Sequence, residues 1–242
     1  MTRVSKTLLL LVALALATRG VAFADPAGFA FLEIPTGARA SSLGGAYGSI
    51  GEGVESIYWN PAGLEGVQKA QITGGHSELM QALRHDYFAA GWRMWGGGVA
   101  ASVRALYSEP IEERDENGTQ IGTFGAHDLE FALGYARAVG AGLRVGGSAQ
   151  AVRERISNLA ATTYAFALGG TWDPETVEGL RVSLAAQNLG PAASYDIDGV
   201  AGEPISLPVA VQTGGSYRFD LGNVGVKAAL EGGSRADAAA SR

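Results

Sequence analysis

The stretch Thr163-Tyr164-Ala165-Phe166-Ala167-Leu168-Gly169-Gly170-Thr171-Trp172 decides the fold class. Side chains of a β-strand point alternately to two faces, so residues two apart share a face. One face here carries Tyr164, Phe166, Leu168, Gly170 and Trp172. The other carries only Thr163, Ala165, Ala167, Gly169 and Thr171. A soluble sheet hides its large face and shows charge on the other. Small, uncharged residues on the second face instead suit a crowded or wet interior, which leaves the large face for lipid.

Working outward, the same alternation recurs. In 128–139, Leu129, Phe131, Leu133, Tyr135 and Val139 oppose Glu130, Ala132, Gly134, Ala136 and Ala138. In 179–188, Leu180, Val182, Leu184 and Ala186 oppose Arg181, Ser183, Ala185 and Gln187. In 207–219, Leu207, Val209, Val211, Tyr217 and Phe219 oppose Ala210, Gln212, Gly214, Ser216 and Arg218. With 68–76, 84–94, 97–108, 142–156 and 223–232 the count is nine strands. The runs are about ten residues long, as tilted membrane strands are, where soluble strands average nearer five or six. Tyr164 and Trp172, and Tyr217 and Phe219, fall near strand ends, where an aromatic girdle sits. Asn117-Gly118 is the strongest hairpin signal and predicts a type I′ turn, with both central residues at φ > 0. A secreted soluble β-sandwich is the alternative.

The beginning of the chain predicts export. Arg3 and Lys6 precede the apolar run Leu8–Ala17, and Ala22-Phe23-Ala24 offers a small-x-small cleavage site. Residues 1–24 thus read as a signal peptide and 25–66 as a Gly/Ala/Ser-rich segment without sustained period. Residues 67–242 read as strands. No later segment holds the run of about 18 apolar residues that a membrane helix needs. Loss of Arg3, Lys6 and Arg19, with no acid among 1–24, takes the net charge from −6 to −9. Such a chain repels phosphate backbones, which argues against nucleic acid as a partner. With no cysteine there is no disulfide, thiolate site or lipid-bearing cysteine. The 36 glycines are about twice ordinary usage and are spread through the alternating runs.

One stretch is specific for a family. It holds Phe31-Leu32-Glu33-Ile34, Gly37-Ala38-Arg39-Ala40 and Leu43-Gly44-Gly45-Ala46-Tyr47, and closes on Glu55-Ser56-Ile57-Tyr58-Trp59-Asn60-Pro61-Ala62-Gly63-Leu64. A second runs from Gly179-Leu180-Arg181-Val182 through Ala186-Gln187-Asn188-Leu189-Gly190-Pro191 to Leu207-Pro208. In order and spacing these resemble the PorV/PorQ family of outer-membrane barrels, within the wider FadL-type group. The resemblance implies an antiparallel transmembrane β-barrel in a bacterial outer membrane, with 25–66 folded into the lumen as a plug or hatch. It implies a non-enzymatic role in envelope protein export or surface attachment, with outer-membrane lipid and secreted proteins or secretion-machinery components as partners. The alternative is a FadL-type channel for hydrophobic small molecules.

The plug motif is then Asn60, Pro61, Ala62 and Gly63. Pro61 fixes φ, Asn60 is biased to extended backbone, and Gly63 permits a sharp turn. Tyr58, Trp59, Arg93, Arg104 and Arg181 are the candidate lumen contacts, and the plug's Phe29, Phe31, Leu32, Ile34, Tyr47 and Ile57 add apolar lining. Nine strands depart from the even numbers of bacterial single-chain barrels, and 234–242 do not form a terminal aromatic-ended strand. The expectation is therefore a barrel lacking C-terminal strands, with a barrel of eight or ten as the alternative.

Enzyme and cofactor chemistry has little to stand on. His76, His85 and His127 have no metal-ligand spacing, and Ser102 or Ser148 is only a conceivable partner for His85. The glycine-rich 44–53 lacks the Lys-Ser/Thr ending of a phosphate loop. The acids Glu109, Glu112, Glu113, Asp115 and Glu116 read as a solvated loop tip rather than a calcium site. No cofactor, metal or catalytic residue is expected.

Overall fold

A computed structural model describes residues 28–197 and 200–236. The signal-peptide expectation on 1–24 lies outside the described residues, as does most of 234–242.

Among the described residues thirteen strands follow an N-terminal segment of short turns. They are β1 (Ala70–Glu78), β2 (Leu83–Met94), β3 (Gly97–Ser108), β4 (Ile111–Arg114), β5 (Gln120–Phe124), β6 (Ala126–Gly140) and β7 (Leu143–Ile156), then β8 (Leu159–Trp172), β9 (Leu180–Leu189), β10 (Ala193–Ile197), β11 (Val200–Ile205), β12 (Val209–Leu221) and β13 (Val224–Ala236). Nine make one antiparallel meander in the order β1-β2-β3-β6-β7-β8-β9-β12-β13. These are the nine runs of the alternating pattern, with ends shifted by a few residues. Two hairpins, β4–β5 and β10–β11, are inserted between neighbouring strands of the meander. Among the described residues β1 and β13 do not pair with each other, so the sheet is all-β and antiparallel but open.

Its faces are divided as the periodicity predicts. On β8, Tyr164, Phe166, Leu168 and Trp172 are 64%, 53%, 59% and 48% exposed, while Thr163, Ala165, Ala167 and Thr171 are buried. Phe131, Leu133 and Leu184 are likewise outside, and Ala132, Ala136 and Ala185 inside. Leu207 departs from this. It precedes β12, which begins at Val209, and its side chain is buried in the interior cluster.

The interior is filled by the N-terminal segment. It comprises 3₁₀ turns at Ala30–Glu33, Val54–Tyr58 and Pro61–Gly66 and the short helix α1 (Ala38–Ser42). Nine strands laid flat would span roughly 38 Å at about 4.8 Å per step. Yet this one segment touches both outer strands: Val54 N donates to Gln71 Oε1 of β1, and Gly48 N donates to Glu231 Oε2 of β13. The sheet must therefore curl around it. The segment supplies the large apolar groups and the sheet the small ones. Val54, Ile57 and Leu64 pack on Ala89, Ala100, Ala132 and Ala136, while Phe29, Phe31 and Leu32 pack on Val152, Ala161 and Ala165.

A hairpin turn falls at Asn117-Gly118, between β4 and β5, as the sequence predicts, but its type differs. Both central residues have φ > 0 at Trp95-Gly96 and at Ala141-Gly142, so the type I′ hairpins are there. At 115–118 only Gly118 has φ > 0. Asp115 organises that turn instead, its Oδ1 accepting from Asn117 N at 2.9 Å and Thr119 N at 2.8 Å.

Candidate functional site

The site begins with a seat made of missing side chains. Cross-strand pairing places Arg93, Gly98, Ala136, Gly146 and Gly169 in one interior row. The next row is Gly91, Ala100, Gly134, Ser148 and Ala167. A Cβ on Gly98 would lie 1.8 Å from Leu64 O, and one on Gly146 2.5 Å from Pro61 O. One on Gly169 would lie 2.0 Å from Asn60 Oδ1. These strand glycines are what let the backbone of 60–64 touch the wall.

Asn60 is buried and extended, with φ −143 and ψ 105, as a residue before proline should be. Its Oδ1 caps the next turn by accepting from Ala62 N at 3.1 Å. Its Nδ2 reaches the carbonyls of Gly48 at 3.3 Å, Gly170 at 3.3 Å and Leu184 at 3.4 Å. One side chain thus ties the plug to itself, to β8 and to β9. Pro61 is the first residue of the turn, and Ala62 is fully buried. Gly63 has a different reason from the expected one. It is not among the positive-φ residues. A Cβ there would meet Ser56 Oγ at 2.4 Å and Gly51 O at 2.5 Å, so space rather than turn geometry requires glycine.

The five candidate lumen contacts divide into two groups. Tyr58 and Trp59 are fixed on the plug. Tyr58 Oη lies 2.9 Å from Phe88 O and 3.1 Å from Val103 O, and burial raises its pKa. Trp59 Nε1 donates to Thr36 O at 2.9 Å and its ring meets Tyr47 edge-on. Burial, with the Glu55 carboxylate beside it, pushes the Tyr47 hydroxyl up to about 12. Arg104 is buried. Its Nε and Nη2 reach Glu130 Oε2 at 2.5 Å, and its Nη1 donates to Leu32 O at 3.2 Å. Its guanidinium also sits 5.8 Å from the Phe31 ring and 5.6 Å from the Tyr58 ring. These three line a common cavity.

Arg93 and Arg181 are elsewhere, in a chain of ion pairs at the end where the plug leaves the sheet. Arg93 meets Glu65 at 3.1 Å, and Arg144 bridges Glu65 at 3.2 Å and Asp173 at 2.9 Å. Arg181 joins Asp173 at 2.6 Å to Glu52 at 2.5 Å. Glu52 and Glu65 belong to the plug, so the chain latches it to β2, β7 and β9. Burial alone would raise the carboxyls of Glu52 and Asp173. Arg181, joined by Arg144 at Asp173, outweighs burial and holds both below their ordinary range. Nothing in the sequence marked Glu52 or Glu65 as the partners of these arginines.

The cavity measures about 660 Å³. Plug residues 32–36, 44–46, 58 and 59 form one wall, and residues of β9, β12 and β13 the other. Gln187 holds the plug here, its Nε2 donating to Tyr58 O at 3.0 Å and Trp59 O at 2.5 Å. At the end of the plug away from the ion-pair latch, Glu154 Oε2 accepts from Phe29 N at 2.7 Å, and the Tyr195 hydroxyl of β10 donates to its Oε1. In the sequence Gln187 stands out only as a member of an alternating strand, and Glu154 and Glu231 carry no local signal for these contacts.

Among the described residues no group of three His, Asp or Glu is placed to hold a metal. His76 Nδ1 lies 2.6 Å from Asp86 Oδ1 at the surface. His85 is buried, and its Nε2 has no partner. In the acidic loop Arg114 pairs with Glu112 at 2.5 Å.

No protein-family model matches this chain, and no curated protein matches it.

Proposed function

We propose that this chain is a non-enzymatic outer-membrane β-barrel protein of the PorV/PorQ type, FadL-like in architecture, acting in envelope protein export or surface attachment. The observation that carries the reading is the reversed sheet. Its large apolar residues face out and its small ones face a filled interior. An exposed apolar surface of this extent is a liability in water and an asset in lipid.

Dimensions support it. Tyr164 and Trp172 stand eight residues apart on the outer face of β8, roughly 26 Å along the strand, or about 20 Å at a 40° tilt. That is close to the apolar band of an outer-membrane barrel. The asymmetry of the ends supports it as well. The two-residue turns at 95–96, 141–142 and 222–223 lie at one end with the 173–179 connection, and both inserted hairpins lie at the other with the short 157–158 turn. Short turns and long loops divide in this way between the periplasmic and outer faces of such barrels.

The seated and latched plug favours an adaptor over an open pore, since nothing large passes without unseating it. Exported proteins would then be engaged through the long-loop end. A second reading, uptake of small molecules, is favoured by the cavity of about 660 Å³ between plug and wall.

The membrane part is tested by Leu168→Arg, midway between Tyr164 and Trp172, against Val224→Arg at the end of β13. In outer-membrane vesicles the first is expected to lower folding stability by about 2–4 kcal/mol and the second by about 0–1 kcal/mol. Equal effects, or a wild-type chain that folds in water without lipid, would reject the reading. The adaptor part is tested by deleting the gene. Exported proteins lose surface attachment if the proposal is right and keep it if it is wrong.

A further inference from the structure

The cavity between plug and wall has a chemistry that neither functional reading specifies. Its ionisable lining, apart from Tyr58, is Glu33, Glu231 and Arg104. Arg104 is fully engaged by Glu130, the Leu32 carbonyl and two aromatic rings, as described above. No cation in the lining is therefore left to neutralise an anionic ligand. Burying an uncompensated carboxylate beside Glu231 would be costly.

Hydrogen-bonding capacity points the same way. The amide N–H groups of Gln187 are taken by Tyr58 O and Trp59 O, and Asn188 Nδ2 donates to Pro208 O at 2.8 Å. Gln187 still offers only its carbonyl oxygen, which accepts, and Asn188 its carbonyl oxygen and one N–H. Gln212 Oε1 is buried without any partner. Glu231 presents a carboxylate, of which Oε2 takes the Gly48 N–H at 3.1 Å. The lining is thus rich in acceptor oxygens and negatively charged, its side-chain donors, Arg104 apart, being neutral hydroxyls and amides. Trp59 adds an indole, whose face attracts cations.

We propose that this cavity is a binding site for an organic ammonium ion, a primary amine carried on a short apolar body. The N–H donors of the ammonium satisfy the amide and carboxylate oxygens, and its charge offsets Glu231. The apolar body lies against Leu32, Ile34 and Pro208. The inference rests on the plug being seated as described, because the plug forms half of the cavity.

The test uses three ligands of one length and different charge: hexylammonium, hexanol and hexanoate. The full chain is refolded in a neutral polyoxyethylene detergent at pH 7, and binding is measured by calorimetry. Hexylammonium is expected to bind roughly tenfold or more tightly than hexanoate, as a hydrogen-bonded charge pair warrants. Glu231→Gln, which keeps an acceptor for Gly48 N, should weaken hexylammonium about tenfold and leave hexanol unchanged. Gln212→Leu should weaken hexylammonium by a smaller factor. Hexanoate binding as tightly as hexylammonium, no binding of hexylammonium, or indifference to both variants would each overturn the site. Proteolysis of the same samples at Glu52, Glu55 and Glu65 separates the two levels. Cleavage there shows an unseated plug and overturns the premise, whereas a protected plug without ammonium binding overturns the site alone.

Discussion

Gly98→Ala should unseat the plug. A Cβ at residue 98 would stand 1.8 Å from the carbonyl oxygen of Leu64 and 2.6 Å from its carbon. Both are backbone atoms, so no rotamer change relieves the overlap. Restoring an ordinary contact needs a shift of about 1.5 Å, judged against carbon–oxygen contacts of about 3.3 Å. The bonds from Asn60 to Gly48, Gly170 and Leu184 are already 3.3, 3.3 and 3.4 Å and would not survive it. Overpacking of this kind costs about 1–3 kcal/mol, and the rigid target places it near the upper end. Replacing glycine also restricts the unfolded chain, which returns about 0.4–1 kcal/mol. The net expectation is a loss of about 2 kcal/mol, close to a thirtyfold rise in the unseated fraction. Gly170→Ala is the control, since its Cβ would come no nearer than 3.8 Å to Arg144 O. The assay pairs a urea titration in lipid vesicles with a glutamate-specific protease that cuts after Glu52, Glu55 and Glu65. Gly98→Ala should be cut faster and unfold earlier, with Gly170→Ala equal to or above wild type. If the two variants behave alike, the plug is not seated by that glycine and the reasoning fails.

Asn60→Ala removes the cap on Ala62 N, two wall contacts and one contact within the plug, so a loss of about 1–2 kcal/mol in the same titration is expected; an unchanged midpoint would remove Asn60 from the seat. The latch should respond to acid. The carboxyls of Glu52 and Asp173 are held below their ordinary range, so their stabilising contribution is complete above about pH 4 and is lost as pH falls through the lowered values. Protease access to residues 52–66 should therefore be flat from pH 7 to 5 and rise toward pH 3, and Arg181→Ala should be already accessible at pH 7. Glu154→Leu should release the β10–β11 hairpin, since it strips the partner of both Tyr195 and Phe29 N. The chain has no cysteine, so Ser194→Cys gives a single reporter thiol whose labelling should quicken in that background, and equal rates would exclude a Glu154 clasp.

Much of the sheet was legible because its signal is geometric. A face of Tyr164, Phe166, Leu168 and Trp172 against a face of alanine, glycine and threonine persists over a whole strand, and no helical period competes with it. The strand boundaries shifted where neighbours extend the ladder, as at β8, which begins at Leu159 rather than 163 because it pairs with Ile156 of β7. The strands of the two inserted hairpins were missed for a physical reason, although Asn117-Gly118 marked the turn that joins β4 to β5. β4 is Ile-Glu-Glu-Arg and wholly exposed, and β11 contains Gly202 and Pro204, so neither has an alternating apolar face. β10 is held from outside, by Ala193 and Tyr195 packing on the Phe29 cluster. The turns of the plug are likewise products of their seat, being too short to form by propensity alone.

The candidate site was half legible, and the missing half shows what one-dimensional reading lacks. Asn60 and Pro61 carry local preferences that survive in the fold, so their place could be foreseen. Arg93 and Arg181 read as ligand contacts because an arginine on a small-residue face invites that role. Their partners, Glu52 and Glu65, are 129 and 28 residues away and carry no pattern of their own. The glycines tell the same story. Gly98, Gly134, Gly146 and Gly169 are spread over four strands, and only the register brings them onto one surface under residues 57–64. Their abundance is therefore a property of the plug as much as of the sheet, since a wall with side chains there would hold 54–66 away from it. It follows that residues 57–64 are seated by shape and pinned by Asn60, that Glu52 and Glu65 latch one end of the plug by ion pairs, and that Phe29, Phe31 and Leu32 hold the other by apolar packing. A displacement of the plug meets least steric resistance beside Tyr58 and Trp59, where the wall recedes into the cavity and Gln187 holds what the glycines do not.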